Sequence, residues 1–217
     1  MSYDPSDAAY DRFVDELYKE FRDSVLEDSE LYDSVVDAFR EARLRDYYLE
    51  NPLVAQAAQA AVAEAETLAL SNPRASLILA VVGTEVCLRE ALLTPILHGS
   101  FHTEASAEIL VRIVVRSKDE KLVKALLRIL AAHTEIDLQE FQRSGSSKPL
   151  WEEIHDIQKK RNRVIHQAES ATSEEAASAI GIGRAVLTEV FARAVAKLGL
   201  HLHDQMRVCG SYKCTSP

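Results

Sequence analysis

Residues 74–97 are the most hydrophobic stretch of the chain, and any fold must place them at its centre. The stretch opens after Ser71-Asn72-Pro73 and closes at His98-Gly99-Ser100, residues that start and stop helices. Taken alone, 77–82 would also suit a buried strand. The continuation Glu85-Val86-Cys87-Leu88-Arg89-Glu90-Ala91-Leu92 makes the whole too long for one, so a long core helix is expected. The strongly apolar part is far too short to span a bilayer, and no membrane partner is expected.

Helical spacing recurs on both sides of this segment. Phe13, Leu17, Phe21 and Val25 mark a helix over 4–27, and Leu31, Val35, Phe39 and Leu44 mark another over about 30–50, stopped by Asn51-Pro52. The stretch 53–70 is Ala-rich and reads as helix. Helices follow near 104–116 and 119–133, separated by Ser117-Lys118-Asp119. Arg143-Ser144-Gly145-Ser146-Ser147 reads as an exposed, mobile connector. Beyond it come a helix from Pro149 to about His166, a break with Thr172-Ser173 as candidate cap, and a last helix to about Leu198. Seven Gly and six Pro in 217 residues leave little material for the turns of an all-β fold. The expectation is an all-α helical bundle over 51–200, an acidic helical extension over 1–50 and a flexible tail over 201–217.

Charge is unevenly spread. The net charge is −9, and residues 1–50 carry all of it, with 15 Asp/Glu against 6 Lys/Arg. Residues 51–217 hold 19 of each sign and are free to carry a local basic site. Three cysteines make no complete disulfide framework, which fits a reducing, cytoplasmic setting.

The densest basic cluster is Lys159, Lys160, Arg161 and Arg163, on the helix that starts at Pro149. A helical wheel gives this segment one apolar stripe, formed by Leu150, Ile154, Ile157, Val164 and Ala168 with Ile165 beside it. Arg161 falls inside that stripe, where a guanidinium must find a carboxylate, a phosphate or several acceptors. Asn162 and His166 share the opposite face with His155 and Lys159.

Arg161-Asn162-Arg163-Val164-Ile165-His166 resembles the R-x4–6-H signature of the HEPN superfamily, near the end of a helix that precedes the last long helix of an α-bundle. The resemblance covers about residues 53–198. It implies a HEPN-like helical bundle acting as a metal-independent endoribonuclease, without cofactor, in toxin–antitoxin or anti-phage defence. It implies homodimers whose paired motifs line one cleft, RNA as partner, and an antitoxin or defence-system partner. Arg161, Asn162 and His166 take the catalytic positions; Lys159, Lys160 and Arg163 would bind RNA. Some HEPN toxins carry a tyrosine two residues after the histidine, which a partner enzyme modifies; here that position is Ala168. A non-catalytic HEPN-like module that binds RNA, nucleotide or a protein is the alternative. The acidic extension is a candidate brake over a basic cleft.

Spacing alone does not discriminate, because Arg128 and His133 fit the same pattern. The residues between them are wholly apolar, and His133 is expected on a stripe with Leu122, Leu126 and Ile129. Histidine exchanges protons near neutral pH, and arginine clamps phosphate oxygens while staying charged. Arg161 and His166 are five steps apart, about 140° around a helix, so a working site calls for a distorted helix or a second subunit. Glu85 lies in the least polar helix, either at a surface edge or at the site, supporting Arg161 as its ion-pair partner. His201, His203, Cys209 and Cys214 are zinc-type ligands, but their irregular spacing fits no finger pattern. The expectation is a frayed tail with two incidental thiols and no metal.

Overall fold

The computed structural model describes residues 16, 19, 29–100, 120–211 and 214. Of the expected helix over 4–27 only Glu16 and Lys19 fall among these, both helical; the one near 104–116 lies outside them. Helix α1 is Ser29–Glu50, α2 Gln56–Leu68 and α3 Pro73–Val86. A π-helical segment, Cys87–Leu93, carries α3 into α4, Thr94–Ser100. Then come α5 (Glu120–Thr134), α6 (Leu150–His166) and α7 (Ser173–Ala185). A second π segment, Val186–Phe191, leads to α8, Ala192–Lys197. The fold is all-α, with two antiparallel two-residue strands near the end: β1 (His201–Leu202) and β2 (Val208–Cys209). No helix among the described residues is long and apolar enough to cross a membrane.

The chain divides into two compact units, Met1–Ala42 and Arg43–Pro217. The acidic composition had put this boundary at 50/51. From Arg43 onward α1 belongs to the second unit, where Leu44 and Tyr48 are buried in its core. The Tyr48 hydroxyl donates to the Ala91 carbonyl at 2.7 Å, inside the first π segment.

Local sequence explains the helix ends. Asn72 caps α3 through its side chain, accepting from the Ala75 amide, and Pro73 occupies the first turn, where its missing N–H costs nothing. Thr172 and Glu175 form a reciprocal capping box at α7. After α8 the chain turns at Gly199 (φ 66°), with the Leu200 amide reaching back to the Val195 carbonyl.

The core is built around α3, which packs on α2, α6 and α7. Small residues bring these helices close: Ala58, Ala65, Ala80, Ala176 and Ala179 are fully buried. A Cβ on Gly83 would stand 2.9 Å from the Ala58 carbonyl oxygen, so α2 and α3 approach as near as glycine permits. Larger side chains, among them Leu77, Leu92, Leu127, Ile154 and Phe191, fill the rest.

Three local expectations change. Helix α5 buries Leu127, Leu130 and Thr134, while Ile129 is exposed, so the buried face is turned from the stripe read in the sequence. The connector around Gly145 is anchored: Arg143 donates twice to the buried Glu153 carboxylate, at 2.9 and 3.0 Å. The segment beyond Leu200 holds the β1–β2 hairpin, whose Val208 is buried and donates its amide to the Pro52 carbonyl.

Candidate functional site

Helix α6 begins behind Pro149 with Glu152 and Glu153 in its first turn and ends with Arg163 and His166 in its last, matching the helix dipole at both ends. Leu150, Ile154, Ile157 and Val164 are buried as the wheel required. Ala168 is not on the stripe, because the helix stops at His166 and Ala168 is exposed with φ 54°. Ile165, beside the stripe, is 44% exposed.

Arg161 donates from its terminal guanidinium nitrogen to Glu85 on α3. The two side chains are 23% and 32% exposed, so the pair sits at the margin of the core. The Arg161 Nε is buried without an acceptor among the described residues. The fold thus brings together the two charges that interrupt apolar patterns on separate helices.

Asn162 and His166 are exposed, as is Lys159, while His155 on the same face is half-buried against Trp151, ring centroids 4.6 Å apart. These residues form the outer stripe of α6, and Arg161 points to the inner one. Among the described residues no side chain joins Arg161 to His166. In the 128–133 copy of the pattern, Arg128 is exposed and His133 half-buried.

Lys160 and Arg163 are neutralised within the chain. Lys160 bonds Glu169 and Glu175, both at 2.7 Å, and Arg163 reaches the second oxygen of Glu169 at 2.7 Å. These bonds raise the Lys160 pKa; those from Lys160, and for Glu169 also from Arg163, hold both carboxyls below their usual range. The result is a clasp that fixes the turn between α6 and α7. Four cations face three carboxylates, so the dense basic cluster has little surplus charge. Sequence reading missed this because Glu169 and Glu175 lie beyond the helix that carries the lysines.

Two other groupings emerge. Arg43, Asp46, Tyr47, Glu50, Asn51 and His98 line a polar cleft of about 270 Å³. There the Tyr47 and His98 rings lie 5.1 Å apart, and burial, then Glu90, pushes the Tyr47 hydroxyl upward. At the other end, one ligand atom from each of His201, His203, Cys209 and Cys214 lies within 4.8 Å of the others. The Cys214 Sγ is 3.3 Å from Cys209 Sγ and 2.8 Å from His203 Nε2. The Ser211 amide foremost, then His203 and Cys214, lower the Cys209 thiol to about 7. Comparison of the chain with family models, with curated proteins and with solved structures finds no match in any of the three.

Proposed function

We propose that the chain is a HEPN-type endoribonuclease that cleaves RNA without a metal, at a site on α6 completed by a second copy of the chain. The observation that carries this reading is the Glu85–Arg161 pair. It fixes a guanidinium at the core margin of the helix whose outer stripe presents Asn162 and His166. In the reaction His166 takes the proton of a ribose 2′-hydroxyl, whose oxygen attacks the adjacent phosphorus. The 5′-oxygen leaves with a proton from the partner subunit's His166, and a 2′,3′-cyclic phosphate remains. Arg161 holds the non-bridging oxygens and stabilises the charge that builds on them. Asn162 orients the imidazole or a phosphate oxygen, and Lys159 supplies an exposed phosphate contact. Glu85 is a positioning residue that acts through Arg161. The angle of about 140° between Arg161 and His166 on one helix is why two subunits are needed.

Non-catalytic binding of RNA, nucleotide or protein is the second reading. The pairing of Lys160 and Arg163 with Glu169 and Glu175 favours it, because it removes two of the cations expected to hold RNA. Purified protein incubated with RNA in excess EDTA separates the two. The catalytic reading expects fragments ending in 2′,3′-cyclic phosphate, with rates lower by about 10²–10⁴ in His166→Ala. Arg161→Ala should fall with it, while in cells the same variants relieve any growth arrest caused by the wild type. Equal cleavage by wild type and His166→Ala, or RNA retention without cleavage, removes the catalytic reading.

A further inference from the structure

The hairpin β1–β2 places chemistry on one of its faces. His201 is the cross-strand partner of Cys209 in the antiparallel register, so their side chains project to the same side. His203 lies two residues beyond His201, and its amide donates to the Arg207 carbonyl, which continues the pairing. With a side-chain period of two, His203 projects to that side as well. Cys214 Sγ meets both Cys209 Sγ (3.3 Å) and His203 Nε2 (2.8 Å). His201 Nε2 is buried and has no hydrogen-bond partner among the described residues. All four ligand atoms fall within 4.8 Å of one another.

We infer that His201, His203, Cys209 and Cys214 bind one zinc ion as a structural, four-coordinate site that pins the C-terminal hairpin. Zinc with two thiolates at about 2.3 Å and two imidazoles at about 2.0 Å is tetrahedral, and neighbouring ligand atoms are then roughly 3.3–3.8 Å apart. The cluster brackets that spacing. Binding would part the Cys214–His203 contact slightly and draw the outlying atoms in. The Ser211 amide donates to Cys209 Sγ at 3.4 Å, the kind of outer bond that steadies a ligating thiolate. Mixed thiolate and imidazole donors in a tetrahedron select zinc over the hard, oxygen-seeking cations. A two-iron cluster would put the histidine pair and the cysteine pair on different irons, which the 2.8 Å approach of Cys214 to His203 opposes.

Zinc would add a second tie to the one that buried Val208 makes with the Pro52 carbonyl. Two-residue strands do not hold together alone, and Gln205 and Met206 both adopt left-handed backbone (φ 59° and 57°) without being glycine. Four protein ligands leave zinc no open position, so the site is structural. None of the four belongs to α6, and this inference does not depend on the proposed RNA cleavage.

Elemental analysis of the full chain, purified without chelator or metal-affinity tag, should give about one zinc per chain, with Cys209 and Cys214 protected from thiol reagents until zinc is stripped. Cobalt(II) added to the stripped, reduced protein should produce intense visible bands of tetrahedral cobalt and a thiolate-to-metal charge-transfer band. Cys209→Ser and Cys214→Ser should each weaken the charge-transfer band and lose zinc at least tenfold more readily. Far-UV circular dichroism of these variants should keep the helical signal, which shows that the loss is local. Protein that carries no zinc and gives no thiolate–cobalt band overturns the site. A Cys209–Cys214 disulfide in freshly purified, unreduced protein overturns it equally.

Discussion

Replacing Glu85 and Arg161 by alanine, singly and together, tests whether an apolar stripe forces its interrupting charge to pair. Two unit charges about 4 Å apart attract by about 4 kcal/mol at an effective dielectric of 20, and by about 1 kcal/mol in bulk water. With side chains 23% and 32% exposed, the pair lies between those limits, and fixing two long side chains offsets part of the gain. The expected coupling is about 1–2 kcal/mol. Glu85→Ala should cost about 2 kcal/mol, because it leaves a guanidinium at the core margin whose Nε already lacks an acceptor. Arg161→Ala also removes the apolar stem between Ile157 and Val164, so the double variant should recover part of the cost but not all. Urea unfolding followed by circular dichroism gives the four stabilities, provided the slope with denaturant stays constant. The Lys148–Asp156 pair, with side chains 58% and 52% exposed, is the internal comparison and should couple by less than about 0.5 kcal/mol. A coupling for Glu85–Arg161 no larger than that would mean Arg161 is effectively solvated, and the positioning role given to Glu85 would go with it.

Gly83→Ala gains about 1 kcal/mol of helix propensity yet sets a Cβ 2.7 Å from Val62 Cγ2 and 2.9 Å from the Ala58 carbonyl oxygen. The carbonyl is backbone and cannot swing aside, so α2 must shift, and a net loss of about 1–2 kcal/mol is expected in thermal melts. Gly183→Ala meets side-chain atoms first, Val62 Cγ2 at 2.9 Å and Thr84 Oγ1 at 3.2 Å, and should cost less; the reverse order would refute the close α2–α3 approach. The clasp gives a pH dependence. Lys160 first, and Arg163 after it, depress the Glu169 pKa in the folded state, while Lys160 depresses that of Glu175. Their contribution is therefore complete above the unfolded value of about 4.3 and disappears as pH falls through the lowered folded values. Melting temperatures between pH 6 and 3 should fall less steeply in the Glu169→Gln, Glu175→Gln double variant than in wild type, and parallel curves would count against the clasp.

The helical frame was readable because its signals are local. Asn72-Pro73, Asn51-Pro52 and Thr172-Ser173 each act within one turn, and the structure stops or starts a helix beside each. Glu85–Arg161 was readable for a related reason: each charge breaks an apolar pattern on its own helix, and burial leaves few ways to satisfy both. What escaped depends on long-range geometry. The π segments at Cys87–Leu93 and Val186–Phe191 change the turn of the helices that run through them, and no residue type in either announces the change. Arg143 read as part of a polar connector because its partner Glu153 lies ten residues on, in the next helix.

The tail marks the same boundary most clearly. Zinc fingers are recognisable in sequence when their ligands come from regular turns at fixed spacing. Here His201 sits on β1 and His203 just beyond it, Cys209 is brought opposite by pairing register, and Cys214 lies five residues further on. Spacing along the chain then measures the loops between ligands, which vary freely, while the quantity that binds a metal is the distance across the hairpin. His201 and Cys209 are eight residues apart in sequence yet direct cross-strand neighbours. The same reasoning bears on α6, where the helical wheel already sets Arg161 and His166 about 140° apart. The helix turns one toward Glu85 and the other to solvent, so near neighbours in sequence are apart in space, while the tail ligands, spread along the chain, are together. A reacting pair built from Arg161 and His166 therefore has to be sought across two chains, whereas the four tail ligands are already together in one.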